Sequence, residues 1–367
     1  MFPNSIALRG LNVLHQGAAY LPSVGTFRPL RGSFSALEAL RQEQIEGAIL
    51  VESQMPGICP HGSITERASF EQHDHQPWPI FWTHTNDARL VGRMQFWRDP
   101  KDRICSEAVF HHPTRRRLRE DRLLAQLIVP RSKFLPGAWT SIASPWCDGG
   151  NYFHWMVDGL ARLFVRDYIP EKPGILIPRG IPRFAEETLD LLHLSGVCLT
   201  TYQECIQPER YDFCSATAMT GVWNPIGFQW LRDAFAPYFA KPQSGPPIFL
   251  TRRGNARIPE NLQAIEKLFS NQGFEIIDCG AIPVHRQIEI ASSASSIAGL
   301  HGAAMTNLLW ASPGTPTLEI FQPNYLNACY EQIAFQGALD YTSLVLKKEE
   351  DLSSFLVWQD KVSSKIP

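Results

Sequence analysis

Several clusters of polar residues carry side chains that can bind an anion or move a proton. The first cluster is His301-Gly302, which follows an apolar stretch typical of a buried strand and precedes a predicted helix. Gly302 permits a tight turn and a close approach of a ligand to the backbone. The free N–H groups at a helix start suit a phosphate, and Asn307 adds a side-chain donor one to two turns later. A packed turn without a ligand fits these residues equally well, so their surroundings must decide.

The second cluster combines an imidazole with a carboxylate. Asn151 is a natural N-cap, and His154 and Asp158 stand four residues apart on the helix that follows, so they share a face. In a cleft, such a pair can deprotonate a hydroxyl group, with Asp158 acting directly or orienting His154 as the base. The structural alternative is an ion pair between Asp158 and Arg162.

A third group of residues follows or ends predicted strands of the second half. Arg252, Arg253 and Arg257 come after the strand Ile248–Thr251, and guanidinium groups match phosphate oxygens in pairs. Glu319 lies in the predicted strand Thr317–Phe321, where its carboxylate can accept both ribose hydroxyls of a nucleotide. A buried pair with a nearby arginine is its structural alternative.

The elements that must position these residues alternate between strand and helix from about residue 138 onward, which predicts an α/β fold with parallel sheets. Ligands of such sheets bind beyond the carboxyl ends of the strands, where the polar clusters fall. The predicted organisation is an irregular, partly β region, two Rossmann-like halves joined by a Pro/Gly-rich linker, and a C-terminal segment that packs back. Their boundaries are 1–130, 131–240, 241–330 and 331–367. Two such halves facing a cleft form the architecture called GT-B.

Composition excludes several classes of partner. A net charge of −2 over 367 residues gives no general attraction to nucleic acid or anionic membranes. The N-terminus lacks a signal-peptide pattern, and the eight cysteines show no Cys-x-x-Cys pair, so we expect reduced thiols and a cytoplasmic protein with at most peripheral membrane contact. We expect no metal site, and we interpret His73-Asp74-His75 with His84 as solvated polar residues. We likewise interpret the arginines at 115–122 as a solvated helix face.

Together, the clusters resemble the catalytic domain of glycosyltransferase family 61, the family of the O-GlcNAc and xylosyl transferases and many bacterial capsule-type proteins. The resemblance covers about residues 140–325. Its most specific parts are Asn151-Tyr152-Phe153-His154-Trp155 with Asp158, and Leu300-His301-Gly302-Ala303-Ala304-Met305-Thr306-Asn307 with Glu319 downstream.

The resemblance implies a GT-B fold and an inverting, metal-independent enzyme that needs no cofactor. Its substrates would be a nucleotide-sugar donor, expected to be UDP-linked, and a hydroxyl acceptor on a glycan, a lipid-linked intermediate or a protein, as in polysaccharide or capsule synthesis. The donor side would be the second half and the acceptor side the first. The implied donor-binding residues are Arg252, Arg257, His301, Gly302, Asn307 and Glu319, and the implied acceptor-side residues are Asn151, His154 and Asp158.

Two other functions remain open at this stage. One is a non-catalytic scaffold that binds a sugar or nucleotide in a polysaccharide assembly. The other is a different nucleotide-using α/β enzyme, such as an epimerase, which would need a base on the donor side of the cleft.

Overall fold

The computed structural model describes residues 26–27, 33–44, 46–51, 79–92, 94–109, 128–129, 131–143, 150–201, 205–219, 222–253, 258–322 and 325–346. These residues form a mixed α/β structure, as the sequence predicts. His73–His75, the arginines at 115–122 and Arg257 lie outside them. Within the described ranges, no helix has the length and hydrophobicity to cross a bilayer.

The strands, in chain order, are β1 Thr26–Phe27, β2 Ser33–Phe34, β3 Glu46–Val51, β4 Ile80–Thr85, β5 Arg89–Val91, β6 Phe96–Arg98, β7 Ile104–Cys105, β8 Ile128–Val129, β9 Ser132–Ser141, β10 Gly174–Pro178, β11 Cys198–Thr201, β12 Cys205–Cys214, β13 Ala218–Met219, β14 Val222–Trp223, β15 Ile248–Leu250, β16 Glu275–Ile277, β17 Ile297–Leu300, β18 Pro316–Phe321 and β19 Asp340–Val345. The α-helices are α1 Ala36–Arg41, α2 Tyr152–His154, α3 Arg183–Leu191, α4 Pro225–Phe235, α5 Leu262–Asn271, α6 Val284–Ser293 and α7 Cys329–Gln336. A π-helical turn spans Trp155–Gly159, and 3₁₀ segments span Glu107–Val109, Leu160–Asp167, Ser195–Val197, Ala236–Tyr238, Cys279–Ala281 and Ala303–Leu309.

The first large sheet crosses the predicted boundary at residue 130. Its strands β11, β10, β9 and β12 are parallel neighbours in that order. Strands β4 and β5, from the region predicted to be a separate N-terminal part, pair antiparallel with the other edge of β12. Residues 1–130 therefore contribute strands to the same sheet as the first half in the described part of the chain.

The second large sheet is entirely parallel, with the order β16-β15-β17-β18-β19. In chain order this is 2-1-3-4-5, the doubly wound arrangement in which ligands bind where the order reverses, between the first and third strands. That point lies beyond the carboxyl ends of β15 and β17. Strand β19 is an integral fifth strand, so the C-terminal segment, predicted only to pack back, completes this sheet up to Leu346.

Alternating side chains of β15 explain how this sheet is covered on both faces. Phe249 packs with Ile265 and Phe269 of α5, whereas its neighbours Ile248 and Leu250 join the opposite cluster with Ile288 of α6. The rings of Phe249 and Phe269 stack with centroids 4.2 Å apart. A strand buried on both faces is apolar throughout, which is why the sequence predicts it correctly.

A shared hydrophobic core joins the two halves. The indole of Trp310, from the second half, lies 5.1 Å from the ring of Phe235 on α4, and both are fully buried. Arg232 donates hydrogen bonds to the carbonyls of Leu309 (2.5 Å) and Ala311 (2.9 Å). Because these contacts fix one half against the other, the space left for a ligand is a defined cavity at one end of the interface.

Candidate functional site

A cavity of about 460 Å³ lies between the two halves, at the carboxyl ends of β15 and β17. This size is within the range of about 300–1,000 Å³ that is usual for small-ligand sites. Of the site residues predicted from sequence, Asn151, His154, Arg252, His301 and Gly302 line the cavity. Asp158, Asn307 and Glu319 are not part of its wall and are 2%, 1% and 0% exposed.

The first wall carries the imidazole of His154. The side chain of Asn151 accepts a hydrogen bond from the Phe153 N–H (3.0 Å) and so caps the short helix α2, as predicted. One turn later, His154 Nδ1 lies 2.7 Å from Asp158 Oδ2. Asp158 is in the π-helical turn that interrupts this helix, a distortion often found at functional sites. The two predicted residues therefore form a dyad in which His154 lines the cavity and Asp158 is buried beneath it.

The alternative partner of Asp158 is engaged elsewhere. Arg162 donates hydrogen bonds to the Cys214 carbonyl (3.1 and 2.8 Å) and to the Ala143 carbonyl (3.0 Å). Burial raises the pKa of Asp158, while the hydrogen bond from His154 and the charges of His154 and Arg162 act in the opposite direction. A Nδ1–H bond to the carboxylate selects the tautomer in which Nε2 carries the lone pair. The dyad thus has the arrangement of an oriented general base.

The second wall carries Arg252. Its Nη1 donates a hydrogen bond of 2.6 Å to the carbonyl of His301, which places the guanidinium against Gly302. Gly302 has φ 167°, an extended conformation that any residue adopts, so the turn does not require a glycine for its backbone angles. A Cβ at this position would collide with the Arg252 guanidinium. Gly302 therefore makes room for an arginine side chain, in addition to any ligand.

Arg253, the next residue along the chain, also lines the cavity but is paired with a glutamate. Arg253 forms a two-bond ion pair with Glu266, with distances of 3.0 and 2.8 Å, and its side chain is 53% exposed. The predicted helix that begins after Gly302 is a 3₁₀ segment of seven residues. Its short length weakens the helix-start contribution to anion binding that the sequence suggested, so positive charge on this wall comes chiefly from the side chains of Arg252 and Arg253.

Glu319 is held within the sheet and does not face the cavity. Its Oε1 lies 2.5 Å from His301 Nδ1, and its Oε2 accepts a hydrogen bond of 2.5 Å from the Tyr341 hydroxyl. In this structure the carboxylate of Glu319 is the partner of His301, and its contact with a ribose stays a prediction from the sequence. The neighbouring strands explain the pairing, because β18 continues beside β17 and the His301 N–H bonds to the Ile320 carbonyl.

Asn307 is also a structural residue in this conformation. Its Nδ2 donates to Gln287 Oε1 and to the Ala304 carbonyl, both at 3.0 Å, and its Oδ1 accepts from Trp310 Nε1 at 3.1 Å. These bonds tie the 3₁₀ segment to α6. In this structure the side chain of Asn307 fixes the segment beside the cavity, and its contact with a nucleotide stays a prediction.

Part of the wall was not predicted from sequence. The start of α3 contributes Arg183, Phe184 and Glu187, and α7 contributes Tyr330. Arg183 follows the carboxyl end of β10. The expectation that ligands bind beyond the carboxyl ends of parallel strands, which was applied only to the second half, would also have indicated Arg183. Glu187 accepts a hydrogen bond of 2.7 Å from the Val284 N–H and so caps α6 across the interface. No comparable signal marks Tyr330, because α7 itself was not predicted.

The fold and the site define a doubly wound α/β protein with a ligand cavity at the switch point of its parallel sheet, a cationic wall and a facing His–Asp dyad. Residues 152–318 match the sequence model of the family described as Glycosyltransferase 61, which confirms the resemblance drawn from the motifs. The matched segment covers a little under half of the chain and supports an assignment to glycosyltransferase family 61, which suggests a glycosyltransferase activity. The matched segment contains His154, Asp158, Arg252 and His301, and it ends one residue before Glu319. Comparison with curated proteins gives no significant match.

Proposed function

We propose that this chain transfers a sugar from a nucleotide-sugar donor to a hydroxyl acceptor, with inversion at the anomeric carbon. The observation that supports the proposal is that one cavity has the His154–Asp158 dyad on one wall and Arg252 with His301 on the other. The first group suits an acceptor hydroxyl, and the second suits a diphosphate. The two sheets would correspond to the two halves of a GT-B-like enzyme.

In the proposed reaction, His154 is the base and Asp158 is a positioning residue. The acceptor hydroxyl gives its proton to His154 Nε2, and its oxygen forms a bond to the anomeric carbon. The bond between that carbon and the donor phosphate oxygen breaks, and its electron pair stays on the departing nucleoside diphosphate. A positioned base of this kind contributes about 10²–10⁴-fold to the rate. Inversion follows if the acceptor approaches from the wall opposite the diphosphate.

Positive charge on the second wall would stabilise the leaving group. Arg252 is fixed by its bond to the His301 carbonyl, so it is preorganised and needs little rearrangement when charge develops on the phosphate. The proposed mechanism assigns the stabilisation of the leaving group to Arg252 and includes no metal ion. A UDP-linked donor, a glycan, lipid-linked or protein acceptor, and a cytoplasmic setting stay predictions from the sequence.

Thermal unfolding with a panel of UDP-, GDP- and CMP-sugars tests the proposal. A ligand present at a hundred times its Kd stabilises the folded state by about 2.7 kcal/mol, which corresponds to a rise in Tm of several degrees. We expect such a rise for at least one sugar nucleotide with the wild type and with His154→Gln, and a much smaller one with Arg252→Ala. Arg286→Ala, which removes an exposed arginine outside the cavity wall, is the matched control and should behave as the wild type.

The same variants separate an enzyme from a scaffold. If the chain is a transferase, His154→Gln binds the donor but consumes it at least a hundredfold more slowly, in line with the loss of a general base. If His154→Gln consumes the donor at the wild-type rate, His154 is not the base. If no sugar nucleotide in the panel raises Tm, the cavity is not a donor site and the proposal fails.

A further inference from the structure

The cavity contains a second histidine–carboxylate pair with the same geometry as the first. His154 Nδ1 lies 2.7 Å from Asp158, and His301 Nδ1 lies 2.5 Å from Glu319. In both pairs the imidazole lines the cavity and the carboxylate is buried behind it. The reaction requires only one base, so the second pair calls for a different role.

The ring of His301 is surrounded by aromatic side chains and a carboxylate. Its imidazole stacks on Phe321, with centroids 4.8 Å apart and an interplanar angle of 23°, and lies 5.1 Å from the ring of Tyr330. Aromatic faces attract cations. On the opposite edge, Glu319 is held by the Tyr341 hydroxyl, so its Oε1 is fixed toward Nδ1.

The charges that face His301 come from few groups. The titratable side chains packed around it are Arg252, Glu319, Tyr325, Cys329, Tyr330 and Tyr341. Burial raises the pKa of Cys329, Tyr330 and Tyr341 well above their usual values, so these three groups are neutral at neutral pH. Glu319 and Arg252 place side chains of opposite type next to the imidazole, and a diphosphate bound in the cavity would bring further negative charge to it.

We propose that His301 binds the donor diphosphate as a doubly protonated imidazolium, and that Glu319 and Tyr341 are the positioning residues that hold this charged form. Nδ1–H donates to Glu319, and Nε2–H donates to a phosphate oxygen. The inference rests on the proposed function, because it requires a sugar nucleotide in this cavity. It predicts that donor binding takes up a proton at neutral to mildly alkaline pH.

Isothermal titration calorimetry in buffers of different ionisation enthalpy measures that uptake directly. UDP-glucose and GDP-mannose are suitable probes, because their diphosphates lack the monoester group that titrates near pH 6. For the wild type we expect uptake of up to one proton for each ligand bound, with Kd rising by up to about tenfold per pH unit over the pH range in which the uptake is observed. His301→Gln and Glu319→Gln should bind more weakly, without uptake and with a flat pH profile.

Two further variants complete the design. Tyr341→Phe removes one hydrogen bond to Glu319 and should reduce the uptake while leaving the fold intact. His285→Gln replaces an exposed histidine of α6 and should keep the full uptake, which shows that the signal belongs to the cavity. If Glu319→Gln fails to fold, His301→Gln and Tyr341→Phe still provide the test.

The possible outcomes are distinguishable. Binding of either probe without proton uptake, or uptake that survives His301→Gln, overturns the imidazolium assignment and leaves the proposed function standing. Uptake that is lost in His301→Gln but unchanged in both Glu319→Gln and Tyr341→Phe rejects the positioning role. If no sugar nucleotide of the thermal-unfolding panel binds, the proposed function and this inference fail together.

Discussion

Replacing Gly302 with alanine should change ligand binding without changing folding stability much. The added methyl group would contact the Arg252 side chain, which can move, and not the backbone. At φ 167° an alanine causes no backbone strain at this position. Its Cβ would collide with Nη1 of Arg252, which is the end of a flexible side chain and can move. The expected result is a folded protein in which the guanidinium has left the His301 carbonyl.

The size of the effect follows from the interaction that is lost. A hydrogen bond to a charged group contributes about 1.5–3 kcal/mol, so misplacing the guanidinium should weaken sugar-nucleotide binding by roughly 10- to 150-fold. Folding stability should change little, because a Gly→Ala change restricts the unfolded chain by about 0.4–1 kcal/mol and offsets part of the cost. Titration calorimetry and thermal unfolding measure the two quantities on the same samples.

A matched control and a double mutant make the test decisive. Gly196→Ala adds the same methyl group where no heavy atom lies within 4 Å, and it should leave Kd unchanged. Alanine at 302 should have almost no further effect in an Arg252→Ala background, because the residue through which it acts is already removed. If the two changes weaken binding additively, the methyl group blocks the ligand itself. If Gly302→Ala binds like the wild type, the position of Arg252 is irrelevant, and the reasoning is refuted.

Two further predictions concern the residues beside the cavity. Burial raises the pKa of Asp158, so the stabilising contribution of its protonated form is present at acid pH and is lost as pH rises through the folded-state pKa. Asp158→Asn should therefore keep or raise Tm at pH 7. The same substitution should slow turnover by about 10²–10⁴-fold. Equal turnover, or a large fall in Tm, would contradict this assignment. Arg253→Ala breaks an exposed pair with Glu266 and should change donor Kd less than twofold, because such pairs contribute little; a tenfold loss would show that Arg253 contacts the donor.

The strands of the second sheet could be predicted because burial on both faces leaves an apolar run bounded by turn residues. Strand β12 was missed for the opposite reason. Its segment Cys205–Cys214 contains Pro208, Glu209 and Arg210, which resemble a loop when read alone. Its strand conformation depends on pairing with β9 on one side and β4 and β5 on the other, and such tertiary pairing overrides local propensity.

The candidate site shows the same limit at the level of single side chains. Residue type and position after a strand were sufficient to indicate Arg252 and His301, and a spacing of four from Asp158 indicated His154; all three line the cavity. The same reasoning did not distinguish a carboxylate that faces a ligand from one that holds a histidine. That distinction depends on burial, and both Asp158 and Glu319 are buried. The partner that holds Glu319, Tyr341, lies on strand β19, which the sequence did not predict.

The pairing of His301 with Glu319 also links the site to the register of the sheet. The His301 N–H bonds to the carbonyl of Ile320 at 2.8 Å, while its side chain bonds to Glu319. A shift of one residue between β17 and β18 would turn Glu319 to the other face, because side chains alternate along a strand. A buried carboxylate is costly unless it is fully hydrogen-bonded, and here both oxygens have partners only in the observed register. The same contacts that make this buried charge tolerable therefore fix the imidazole that faces the cavity.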